Sequence, residues 1–141
     1  MIPSVYLAGA SKELERCQRW IQALRQEGIP ITYDWTIPVT SFGSSGPALK
    51  DYEKRAFARA DFRGVQEADV LWLLVPAAPS TGAWVELGYA LRGAGDFPDL
   101  RPGRKKIVVS PPCSDRCIFA LLPAVVEYAS DEEAFAAILS A

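Results

Sequence analysis

The run Val70-Leu-Trp-Leu-Leu-Val75 is apolar at every position. Successive side chains of a strand point to opposite faces, so a strand of this composition has to be covered on both sides. A sheet covered on both sides is characteristically parallel, sandwiched between helices that also serve as its crossovers. The rest of the chain meets that requirement. Val5, Tyr6, Leu7 and Ala8 form a second apolar run ending at Gly9, and from Ser11 the spacing of Leu14, Cys17, Ile21 and Leu24 is that of an amphipathic helix stopped at Gly28. Ile29 to Tyr33 reads as a strand running into Asp34 and Trp35, and Thr36 to Pro47, rich in Ser, Gly and Pro, reads as a loop. A helix is expected from about Leu49 to Gln66, a loop over Pro76 to Ser80, a helix carrying Trp84 to Leu91 and a Gly/Pro linker from Gly93 to Gly103. Strands follow at Ile107 to Val109 and Val125 to Tyr128, with a short helix at Cys117 to Leu122 and a closing helix from Asp131 to Leu139 capped by Ser130. The expectation is one α/β domain over residues 1 to 141, a three-layer sandwich around a five-stranded parallel sheet. It is flavodoxin-like or Rossmann-like, with strand order 2-1-3-4-5.

Charge and composition narrow the function classes. With 15 basic and 17 acidic side chains, the net charge is −2, which lacks the basic excess that neutralises phosphate backbones. A nucleic-acid polymer is not an expected partner. The longest apolar runs, Val70 to Ala78 and Ile118 to Val126, fall well short of the roughly 20 residues a bilayer span requires, so a membrane is not expected either. Three cysteines, an odd number, argue for a reducing compartment, the cytoplasm, over a disulfide framework. The chain contains no histidine, which excludes Ser-His-Asp and Cys-His chemistry and leaves Asp, Glu, Tyr, Lys or Cys for acid and base work. Cys113 and Cys117 are four apart, but with no histidine and Cys17 remote in sequence, no metal site is expected.

In open parallel sheets ligands bind beyond the carboxyl ends of the strands, near the point where strand order reverses. That rule gathers Tyr6 and the turn Gly9-Ala10-Ser11-Lys12, Asp34 with Trp35, and Ser80, Thr81, Gly82 and Glu86. Asp69, which precedes its strand, belongs to the opposite edge as a structural terminus. Glu86 stands out because its neighbours Ala83, Trp84, Val85, Leu87 and Tyr89 are almost wholly apolar, and a lone acid there is expensive to bury. The alternative role for Glu86 is complementing the dipole of its own helix. A second carboxylate weighs against that alternative: Phe57, Asp61 and Val65 fall on one stripe of the preceding helix, so Asp61 lies on an apolar face, unless it pairs with Arg55, Arg59 or Arg63 at the surface. Two carboxylates on one pocket without histidine are the toolkit of glycosidic-bond cleavage, and Tyr6 could hold the nucleophile by a hydrogen bond. Gly9 and Gly82 would let backbone approach a ligand, or serve only as turns. Trp35 fits base stacking and core packing equally.

The segment Asp61-Phe-Arg-Gly-Val-Gln-Glu-Ala-Asp69-Val-Leu, followed by Gly82-Ala-Trp-Val-Glu86-Leu-Gly-Tyr-Ala-Leu91, resembles the signature of the nucleoside 2-deoxyribosyltransferase family, which includes the 2′-deoxynucleoside 5′-monophosphate N-glycosidases. Val5-Tyr6-Leu7-Ala8-Gly9 is similar to that family's first strand and turn. The resemblance implies a flavodoxin-like fold, no cofactor, a small-molecule nucleoside or nucleotide substrate, and a homodimer or larger homo-oligomer whose active site a neighbouring subunit completes. It makes Glu86 the nucleophile on C1′, Asp61 the acid that assists departure of the base, and Tyr6 the group that positions Glu86. Ser80 matches the serine with which the phosphohydrolase branch contacts a 5′-phosphate, where base-exchanging transferases carry an aspartate. Ala10 and Lys12 stand where that branch uses Ser and Arg, with Ser11 one place off, so Lys12 would hold phosphate as a point charge. Asp34-Trp35-Thr36 fits neither branch well. The rival readings are hydrolysis of a related N-glycoside such as the nicotinamide bond of NAD, and a non-catalytic nucleotide-binding or signalling module on the same fold. The third helix, apolar nearly all round at Trp84, Val85, Leu87, Tyr89 and Leu91, is expected to meet a partner subunit, unless the Gly93 to Gly103 linker folds over it.

Overall fold

A computed structural model describes residues 2–42, 49–94 and 105–141. Four strands, β1 (Val5–Ala8), β2 (Val70–Leu74), β3 (Lys106–Ser110) and β4 (Val125–Glu127), form a parallel sheet in the order β1-β2-β3-β4. Val5 is in register with Val70, and Trp72 with Val108. Every residue of β1 and β2 is buried, as uninterrupted apolar runs require. Five α-helices cover the sheet among the described residues: α1 (Leu14–Gln26), α2 (Thr36–Phe42), α3 (Asp51–Glu67), α4 (Gly82–Arg92) and α5 (Asp131–Leu139). Single 3-10 turns lie at Ser11–Glu13 and Ile118–Leu121.

Alternation along β1 sorts the helices. Tyr6 reaches Glu86 of α4, while Leu7, next to it, pairs with Trp72, whose ring lies 5.4 Å from that of Trp20 on α1. Trp20 also packs at 5.4 Å on Phe135 of α5, so α1 and α5 share one face. On the other, Phe62 of α3 stacks on Tyr89 of α4 at 4.4 Å with the rings 4° from parallel. Helix α1 buries Cys17, Trp20, Ile21 and Leu24, the stripe its spacing predicts. It ends at Gly28, whose φ of +76° suits glycine, with Gly28 N–H donating to Arg25 O at 3.0 Å and Ile29 N–H to Leu24 O at 3.0 Å. Ser130 caps α5, accepting from Glu133 N–H at 3.1 Å.

Two expectations are corrected. Ile29 to Tyr33 does not form a strand of the sheet, which has four strands among the described residues, and these four follow one another in the expected sequence. This segment makes only an isolated parallel bridge, Val5 with Ile31, on the free edge of β1. The pairing consists of Val5 N–H to Pro30 O at 2.9 Å and Thr32 N–H to Val5 O at 3.1 Å and goes no further, because the next acceptor along that edge, Leu7 O, takes the Trp35 Nε1–H at 2.8 Å and Asp34 leads directly into a helix. That helix is the second correction: Thr36 to Phe42, expected as loop, is α2. Asp34 Oδ1 accepts from Thr36 N–H at 3.0 Å, satisfying a donor at the start of the helix, and Pro38 sits in its first turn, where an absent N–H costs nothing. The remainder of the expected loop, 43–47, and most of the Gly/Pro linker, 95–103, lie outside the described residues.

A polar network ties the carboxyl ends of the strands together. Arg16 donates to Asp131 at 2.9 and 3.0 Å, to Glu13 at 2.7 Å, and to the carbonyls of Val75 and Ser110 at 2.9 and 3.3 Å. Ser110 Oγ donates to Asp131 at 2.8 Å and accepts from Trp72 Nε1 at 2.9 Å. Glu13 in turn accepts from Ala77 N–H at 2.7 Å, which fixes the loop leading into α4. At the other edge Asp69 is locked to Ser4, whose N–H donates to it at 2.9 Å, in keeping with a structural terminus.

Candidate active site

Beyond the carboxyl ends of β1 and β2 lies a pocket of about 550 Å³. Its walls come from two sources. The turn after β1 and the start of α4 supply Gly9, Ser11, Lys12, Ser80, Thr81 and Gly82, while α2 and α3 supply Val39, Phe42, Phe57 and Asp61. Tyr33 and Trp35 complete the wall, and Glu86 reaches in from α4. Of the polar residues gathered from the sequence, Tyr6 and Asp34 are not part of this lining: Tyr6 is fully buried and meets the pocket through Glu86, and Asp34 lies outside it. Asp34 is engaged with the start of α2 and with Arg25, at 2.9 Å.

The two carboxyl groups of the pocket, Glu86 and Asp61, lie where β1, α3 and α4 meet. Glu86 is 8% exposed and Tyr6 fully buried, and the Tyr6 hydroxyl donates to Glu86 Oε2. Burial, followed by the Glu86 and Asp61 charges, pushes the ionisation of Tyr6 far above its usual range, so it remains a phenol and a donor. Burial likewise pushes Glu86 up to about 8; the Tyr6 hydrogen bond opposes that rise and the Asp61 charge adds to it. Asp61, half-buried, is raised by desolvation to about 6, with the Tyr6 hydroxyl pulling it down. The two carboxylates therefore share roughly one proton around neutrality, and the apparent values belong to the pair. By these values the shared proton rests mainly on Glu86 and the charge on Asp61, and the single Tyr6 proton, given to Glu86, works against that ordering.

The remaining candidates separate by environment. Lys12 is an exposed cation on the pocket wall. The first N–H groups of α4, beside Ser80 and Thr81, have no partner within their own helix, as at any helix start. Trp35 is 8% exposed and donates Nε1–H to Leu7 O at 2.8 Å, so it is anchored in the core with one face on the pocket. The space a side chain at Gly9 would take is filled by Cys17, whose Sγ lies 2.6 Å from the would-be Cβ; helix packing requires that glycine. Nothing lies within 4 Å of the equivalent point at Gly82. Sequence reasoning did not include Tyr33, Phe42 and Phe57 among the site residues. Phe57 had a signal, since it shares the stripe of Asp61, whereas Tyr33 and Phe42 enter only through the path of the chain around α2. Among the described residues, no three His, Cys, Asp or Glu side chains gather to hold a metal ion. None of the helices described is long and apolar enough to cross a membrane.

No known family model and no curated protein matches the chain.

Proposed function

We propose that the protein cleaves or transfers at the N-glycosidic bond of a deoxynucleoside or its 5′-monophosphate, as the resemblance to the nucleoside 2-deoxyribosyltransferases implies. The observation that carries the reading is the buried Tyr6–Glu86 hydrogen bond in a pocket also lined by Asp61, both carboxylates having raised affinity for protons. In the form of the pair that carries its proton on Asp61, Glu86 Oε attacks C1′ while the C1′–N bond breaks and its electron pair leaves with the base. Asp61 delivers its proton to the departing nitrogen. Water or a second base then attacks C1′ of the glycosyl ester, Asp61 takes up the proton, and the Glu86 carboxylate is released. Tyr6 stays protonated throughout and holds the attacking oxygen in place.

The walls fit a substrate with two unlike ends. Trp35, Phe42 and Phe57 offer flat apolar surface for a base, while Lys12, Ser11, Ser80 and the start of α4 offer one cation, two hydroxyls and free N–H groups for a phosphate. The reading extends to a homo-oligomer. Helix α3 and the guanidinium of Arg116, 5.7 Å from the Trp84 ring, already cover much of α4, which its composition alone did not foresee. Val85 at 55% and Phe62 at 38% exposure remain as the apolar surface for a second copy.

The test is incubation with deoxynucleosides, their 5′-monophosphates and NAD, with and without an acceptor base, following free base by chromatography. Release from a deoxynucleotide without acceptor means hydrolase, and release only with acceptor means transferase. Release from NAD alone reassigns the substrate. No release from any of them refutes the proposal.

A further inference from the structure

Gly64 lies on α3, three residues after Asp61, and is buried against β1. Its carbonyl accepts from Thr32 Oγ1 at 2.7 Å, which tethers the helix to the segment beside β1. A Cβ at this position would stand 2.7 Å from Tyr33 Cβ, 2.8 Å from Tyr6 Cδ2 and 2.9 Å from Tyr6 Cε2. Carbon atoms pack at about 3.5 to 4.0 Å, so all three approaches are impossible without movement. Neither neighbour can retreat cheaply: Tyr33 Cβ is bonded to the main chain, and the Tyr6 ring is fully enclosed with its hydroxyl on Glu86. Glycine is also among the poorest formers of a helix interior, so local propensity does not account for it here.

We propose that Gly64 is a positioning residue for the carboxylate pair: its missing side chain lets α3 close onto the Tyr6 ring and so sets how deeply Asp61 sits beside the Tyr6 hydroxyl and Glu86. An alanine at 64 forces α3 outward, and Asp61, one turn away on the same face, moves toward solvent. The ionisable groups facing Asp61 are Tyr6 from β1, Tyr33 from the segment before α2, Glu86 from α4, and Lys12 across the pocket; Glu86 in addition feels Cys17 of α1. Of these, Tyr6 and Tyr33 are the ones that Gly64 touches. The consequence for turnover rests on the N-glycosidic reading, but the geometry does not.

The experiment is a carboxyl-carbon NMR titration of the wild type, Gly64→Ala and Gly88→Ala, with thermal melts alongside. Gly88 is the matched control, a glycine in α4 with nothing within 4 Å of its would-be Cβ. Gly64→Ala is expected to lower the Asp61 titration by about one pH unit as its burial is lost, while Gly88→Ala leaves both carboxyls unmoved. A folded Gly64→Ala with wild-type titrations overturns the proposal. Should Gly64→Ala fail to fold, Thr32→Val removes the tether while keeping the shape, and is expected to lower Asp61 by about half a pH unit. Unmoved titrations in Thr32→Val then overturn it. A shifted titration in a protein that releases no base supports the role of Gly64 and refutes the N-glycosidic reading, so the two fail separately.

Discussion

Replacing Glu86 by Gln should abolish turnover and yet stabilise the protein, by an amount that depends on pH. Burial raises the Glu86 carboxyl from its ordinary 4.5 to about 8. A carboxyl whose affinity for protons is raised in the fold binds more protons folded than unfolded. Stability is therefore fully present below its ordinary value and falls as pH rises through the folded one. Each tenfold difference in ionisation is worth about 1.4 kcal/mol, so forcing Glu86 to ionise within the fold costs about 5 kcal/mol by pH 9 but only about 1 kcal/mol at pH 5. Gln carries no charge and still accepts from the Tyr6 hydroxyl. Relaxation around the ionised carboxylate and water at the pocket mouth reduce the difference, and the expected gain for Glu86→Gln is about 2 to 4 kcal/mol at pH 9, shrinking to within about 1 kcal/mol at pH 5. Urea unfolding at pH 5, 7 and 9, followed by the fluorescence of Trp20, Trp35 and Trp72, which are at most 8% exposed, measures it. A difference that does not change with pH, or a variant less stable than wild type at pH 9, would refute the account of Glu86 as a buried carboxylate kept at the expense of stability.

Other outcomes are as specific. Activity should follow a bell with limbs near the apparent values of the pair, about 6 and about 8, because below it no carboxylate is free to attack and above it no acid remains; a flat profile across pH 5 to 9 contradicts the assignment. Asp61→Asn should lower kcat by about 100-fold or more with a base that leaves only when protonated, and much less with a base activated for departure, a contrast that steady-state kinetics reads directly. Gly28→Ala, which places a Cβ at a φ of +76°, should cost about 1 kcal/mol in urea unfolding and leave turnover alone. Sedimentation at micromolar concentration should give an oligomer that Val85→Glu dissociates; a monomer of 15.4 kDa removes the interface.

Much of the site was legible before any coordinates, because its carriers obey local rules. The apolar surroundings of Glu86 and the stripe shared by Phe57, Asp61 and Val65 are properties of short stretches, and the end-of-strand rule then assigns Tyr6, Ser11, Lys12 and Ser80 to one side of the sheet. The segment around α2 was misread because its turn-forming residues are the same ones that start helices: Asp34 with Pro38 serves a helix start, yet in sequence it resembles more of the Ser, Gly and Pro that surround it. Likewise Ile29 to Tyr33 has the composition of a strand, and what denies it a ladder is the Trp35 indole N–H, which takes the Leu7 carbonyl that the ladder would use next.

Periodicity and charge in the chain alone determined that a parallel sheet lies between helices and which faces of α1 and α3 turn inward. Only the tertiary structure decided that Tyr6 meets Glu86 eighty positions away, that Asp61 comes close enough to feel the same hydroxyl, and that Gly64 has to be bare. The physical reason is range. Side-chain period and propensity act over a turn or two of chain, so they report which face is apolar, whereas proton affinity and close packing depend on which distant groups fill the space against that face.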